Sequence, residues 1–127
     1  MNTLGRVRTA DVDGIPVVAI EGEVDIGNVT HLRAQIVQSV PNAARGLVLD
    51  LTGTTYLDSR GVHLILELAD RMTTSQQELR VVVPPDALIR RVLELTHVDA
   101  AVPLDPSVEA ALSHFRRTLG ERPGNLR

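Results

Sequence analysis

Asp58-Ser59-Arg60-Gly61-Val62 stands where an apolar run gives way to helical periodicity. Upstream, Gly46 to Leu51 is apolar enough for a strand from a sheet interior. Downstream, Val62, Ile65, Leu66, Ala69 and Met72 recur at the spacing of one helix face. Ser59 therefore sits at or next to the first residue of a helix. Backbone N–H groups there lack intrahelical partners, and the positive end of the helix dipole favours negative charge. A serine in that place can cap the helix, carry or bind an anion, or act as a nucleophile.

The nucleophile reading lacks its usual companions. The GxSxG elbow is absent, and His97 is the one candidate base. His63 and Glu67, four residues apart on one helix face, match two metal ligands, but no third stands at metal spacing and HExxH is missing. Thr52-Gly53-Thr54-Thr55 has one glycine, too few for a loop that wraps phosphates. There is no cysteine, which excludes thiol catalysis and zinc–thiolate sites. All thirteen Lys/Arg positions are arginine, which removes Schiff-base chemistry and a P-loop lysine. A protein without enzymatic activity, metal or cofactor is the expectation, and a small nucleotide-binding or hydrolytic domain is the alternative.

The 127 residues suffice for one domain with its own core. A net charge of −3, with one tyrosine and one phenylalanine, argues against a nucleic-acid partner. No apolar stretch approaches the roughly eighteen residues of a membrane span, and no signal-peptide core follows Met1, so a cytoplasmic protein is expected.

The positioning elements follow from periodicity and punctuation. Val7 to Val12 and Ile15 to Glu23 read as strands joined by an Asp13-Gly14 turn. A helix through Val29, Leu32, Ile36 and Val40 begins at an Asp25 or Asn28 cap and ends at Pro41-Asn42. After the central strand, the Ser59 helix runs to about Met72 and Thr73 to Gln77 forms a polar loop. A strand from Leu79 to Val83 precedes a third helix through Leu88, Val92 and Leu95, capped by Asp86. Val102-Pro103-Leu104 is a short strand, and Asp105-Pro106 opens a last helix through Val108, Ala111, Leu112 and Phe115. The order β-β-α-β-α-β-α-β-α predicts a single α/β domain over residues 4–117. Its mixed sheet is largely parallel after the opening hairpin, and residues 118–127 form a disordered tail. Leu64 and Leu68 lie off the main stripe of the Ser59 helix. They are either wedged between sheet and neighbouring helix or exposed beside Ser59.

Glu21-Gly22-Glu23-Val24-Asp25 before the first helix and Asp58-Ser59-Arg60-Gly61-Val62 at the start of the second, in this order of elements, resemble the STAS-domain anti-sigma factor antagonists of bacteria. The resemblance spans nearly the whole chain. It implies that Ser59 is phosphorylated by an anti-sigma factor that is also a serine kinase, that phosphorylation breaks the complex, and that a phosphatase restores it. It matches Asp25 to an acidic residue near the phosphoacceptor. It places the partner surface at Asp25, Asp58, Ser59, Arg60, Gly61 and Val62. Arg60 departs from the pattern, standing where many relatives carry a small residue. A constitutive STAS scaffold or transporter-associated module, with Ser59 as a cap only, is the other reading within the fold. Self-association is left open.

Overall fold

The computed structural model describes residues 5–120. The first two strands, β1 (Arg6–Val12) and β2 (Ile15–Val24), form an antiparallel hairpin. Asp13 and Gly14 both have positive φ, as a type I′ turn requires, and Asp11 accepts a hydrogen bond from the Gly14 amide. After α1 (Val29–Gln38), β3 (Gly46–Asp50) enters the sheet parallel to β2, and β5 (Glu78–Val82) and β6 (Leu104–Asp105) continue it in the order β1-β2-β3-β5-β6. This is the expected α/β architecture, with a hairpin followed by parallel strands.

Two elements add to the predicted order. Four residues, Thr54–Leu57, form β4, which pairs parallel with the C-terminal part of β2, while β3 pairs with its N-terminal part. The three residues between β3 and β4 are too few for a crossover. β4 instead carries on along the side of β2 that β3 occupied. Gly22 N–H donates to Gly53 O at the change of partner, and the buried Thr54 hydroxyl donates to Ile20 O at 2.8 Å. The second addition is α4 (Val98–Ala101), one turn set off from α3 (Leu88–Leu95) by His97 at φ 63°.

The sheet separates two apolar clusters. On one face, α1 and α2 (Ser59–Thr74) bury Leu32, Ile36, Leu64, Ile65 and Leu68 against Val18, Ile20, Leu47, Leu49 and Val81. On the other, α5 (Val108–Gly120) sets Ala111, Leu112 and Phe115 on Ile15, Val48 and Val82. Leu64 and Leu68 are both buried, so the wide apolar arc of α2 is used inside the fold. α2 also continues through Thr73 and Thr74 into the expected loop. Backbone helix reaches Gly120. The rest of the expected tail, residues 121–127, lies outside the described residues, as does Leu4.

Two predicted caps are corrected here. Asp86 does not cap α3, whose N-cap position is held by Ala87 without a side-chain bond. Ser107, not Asp105, caps α5, its hydroxyl accepting from the Ala110 amide at 3.1 Å. Asp105 is a buried residue of β6, where it takes both Nε and Nη2 of Arg80 at 2.9 Å. Those bonds outweigh the cost of burial and raise the Arg80 pKa above its ordinary value. The pair fastens a two-residue edge strand to β5. Asp105→Ala is expected to cost about 1–3 kcal/mol in urea denaturation, because the largely buried Arg80 guanidinium loses two bonds and keeps Glu78, 3.5 Å away, as its remaining carboxylate. Replacing both partners, as Arg80→Met with Asp105→Leu, is expected to recover most of that loss.

Candidate functional site

Two connections leave the C-terminal ends of β2 and β4 side by side. Val24 is in register with Leu57, and the Asp58 N–H donates to Val24 O at 3.2 Å. Asp25 and Asp58, the residues that follow the two strands, are thereby brought to one edge of the sheet.

Asp58 is the N-cap of α2. Its backbone is extended, and its Oδ1 accepts from the Arg60 and Gly61 amides at 2.9 and 3.2 Å. Because Asp58 does the capping, Ser59 is not needed for it. Ser59 occupies the first helical position, is exposed, and its hydroxyl has no hydrogen-bond partner among the described residues. Arg60 beside it is also exposed, whereas Gly61 and Val62 are buried.

Gly61 is there because nothing larger fits. A Cβ on it would lie 2.4 Å from Cδ1 of Leu57 and 3.2 Å from Cγ1 of Val24. The first turn of α2 therefore rests directly on the ends of both strands, with Val62 sealing the contact from the helix side. Within the Asp-Ser-Arg-Gly-Val run, aspartate caps the start of the helix, glycine and valine seat it, and serine and arginine are exposed.

The other loop is fixed by Asn28, which the sequence offers only as a possible cap. No side-chain cap bond is made to α1. The buried Asn28 amide instead donates to Glu23 O at 2.7 Å and accepts from the Asp25 N–H at 3.0 Å, tying the end of β2 to the start of the helix. Asp25 Oδ1 accepts from the Gly27 amide at 2.9 Å, so the carboxylate closes a local turn and does not cap α1.

The competing chemistries do not converge on this edge. Glu67 takes Arg33 Nε from α1 at 2.8 Å, while His63 is exposed on α2. His97 stands at the α3–α4 junction, beyond the end of α3 opposite to Leu88. The sequence also misses four exposed apolar side chains. Ile26 follows Asp25, Tyr56 lies on β4, and Leu88 and Leu95 lie on α3. They are 66%, 49%, 88% and 68% exposed. α3 carries two apolar stripes; the fold buries Ile89 and Leu93 and turns Leu88 and Leu95 outward, the reverse of the predicted face.

The STAS domain model matches residues 6–111 of this chain. The chain belongs to the STAS domain family. BtrV of Bordetella bronchiseptica, which carries an anti-sigma factor antagonist name, is 30% identical over 108 residues, 85% of this chain and 92% of its own length. The anti-sigma-F factor antagonist RsfB of Mycobacterium tuberculosis is 27% identical over 110 residues, 87% of this chain and 88% of RsfB. The crystal structure of an anti-sigma factor antagonist from Mycobacterium paratuberculosis superposes with a TM-score of 0.81 at 28% identity, over 91% of this chain and 97% of that chain. The described residues contain no helix long and apolar enough to cross a membrane.

Two substitutions test the roles assigned here. Gly61→Ala is expected to destabilise the STAS domain by about 1–3 kcal/mol, read as a lowered urea midpoint, because Leu57 and Val24 must move in a packed core. Asn28→Ala is expected to cost about 1–3 kcal/mol by removing both loop bonds. Amide hydrogen exchange should locate the loosening at Asp25 and its neighbours.

Proposed function

We propose that this STAS domain is an anti-sigma factor antagonist without catalytic activity of its own. In the bacterial cytoplasm it binds an anti-sigma factor that is also a serine kinase. Phosphorylation of Ser59 ends that binding, and a serine phosphatase restores it. The observation that carries the reading is the Ser59 hydroxyl, exposed at the helix start and left uncommitted because Asp58 supplies the cap. The names of BtrV, RsfB and the Mycobacterium paratuberculosis protein support the antagonist role.

The local electrostatics suit a charge switch. Transfer of the ATP γ-phosphoryl group to Ser59 Oγ forms one P–O bond as the bond to ADP breaks, and the hydroxyl proton leaves to a base on the kinase. The product adds about −1.5 to −2 charges. At the first position of α2 the dipole tolerates that charge, so the fold need not rearrange. The amides of Arg60 and Gly61 are already taken by Asp58, however, so the phosphate gains no open cradle and stands beside a carboxylate. In a docked interface, repulsion and burial of an unpaired charge would cost about 2–5 kcal/mol. That is roughly thirtyfold to several-thousandfold in affinity.

Incubation with ATP and the cognate kinase should place one phosphate on Ser59, located by peptide mass spectrometry. The phosphorylated chain should lose anti-sigma factor binding by at least thirtyfold. Ser59→Ala should bind and resist inactivation. Phosphate at another residue, or equal binding by both forms, would remove the switch.

A further inference from the structure

Asp58 holds the amides of Arg60 and Gly61, so the charged donors open to a phosphate on Ser59 are side chains. Helix geometry supplies one from within the domain. In α2, His63 follows Ser59 by four residues and Arg60 by three, so it lies one turn on and adjoins both on the helix surface. Ser59, Arg60 and His63 are exposed, while Gly61, Val62, Leu64 and Ile65 are buried. The outward stripe of α2 thus opens with a hydroxyl and two nitrogen-bearing side chains. Residues at these spacings have Cβ atoms about 5–6 Å apart. A helical side chain also leans over the turn that precedes its own Cα, which directs the His63 imidazole toward Ser59.

Both side chains are uncommitted. Neither Arg60 nor His63 makes a side-chain hydrogen bond or ion pair among the described residues. One turn further along the stripe, Glu67 is the rival for the imidazole, but its Oε2 accepts from Arg33 Nε of α1 at 2.8 Å. An imidazole N–H donates readily to a phosphate oxygen, and the guanidinium adds a permanent charge. Asp58 is the neighbouring carboxylate against which they act. We propose that His63 and Arg60 hold the phosphate of phospho-Ser59 within the same chain, as a clasp on the exposed face of α2. The proposal rests on Ser59 being the phosphorylated residue, and it adds what the mark does to the domain that carries it. Phosphorylation tightens the first turns of α2 and does not loosen them.

Phosphoserine would be placed at position 59 of the full chain by expanded genetic coding, so that no kinase is needed. Against the unmodified chain, its thermal midpoint is expected to rise by about 2–4 °C at low salt, and by less at about 0.5 M salt. His63→Ala should remove most of that rise and Arg60→Ala a smaller share. His63→Lys, which keeps a donor and a charge at the same place, should retain it. In the unmodified chain these substitutions alter exposed positions, and the midpoints should agree within about 1 °C. A rise of equal size with and without His63 would overturn the clasp and leave the switch standing, because the helix dipole alone would then account for it. A midpoint lowered by the phosphate would overturn the clasp in the same way. A cognate kinase that leaves Ser59 unmodified would overturn both.

Discussion

Everything at the Ser59 edge depends on one strand serving two neighbours. β2 gives its N-terminal part to β3 and its C-terminal part to β4, and the handover at Gly22 and Thr54 sets where β4 ends. Without that second pairing, Leu57 would not lie beside Val24, and Asp58 would have no strand end to bond. The first turn of α2 is in turn seated on Val24 and Leu57 through Gly61. Hydrogen bonding of the sheet thus fixes a side-chain arrangement two elements later.

The motif divides its labour by burial. Asp58 satisfies the helix amides, Gly61 and Val62 hold the helix down, and the serine is left with no structural duty. A serine that capped its own helix would couple modification to local unfolding, whereas here chemistry on the oxygen leaves the cap intact. The same logic applies across the edge, where Asn28 restrains the loop and leaves Asp25 only a local turn to close.

Much of this was legible before the structure, and the exceptions have physical causes. The hairpin is legible because Asp13-Gly14 is a turn signal with one favoured geometry. The central strand and α2 are legible because their apolar patterns are long and of different period. β4 is hidden because four residues carry too little pattern, and because its partner is a strand more than thirty residues earlier. Asp105 reads as a cap because an Asp-Pro pair favours helix starts, and nothing local reveals that Arg80 on a neighbouring strand claims it. The face of α3 is ambiguous since both stripes are apolar, and only tertiary packing decides between them. At the site, residue identities are readable and their roles are not. Sequence alone cannot tell whether Asp58 or Ser59 caps, which is the distinction on which the chemistry turns.

The two margins of the sheet are defended in different ways. β6 is only two residues long and is held by a buried ion pair, so it offers almost no ladder to a foreign strand. β1 is longer and solvent-facing, but Arg6 and Arg8 reach across to Glu21 and line the outermost strand with charge. Short or charged edges are how soluble sheets resist strand addition and aggregation. With these two margins poor templates for backbone pairing, the domain can leave Ile26, Tyr56, Leu88 and Leu95 exposed without inviting strand addition at β1 or β6.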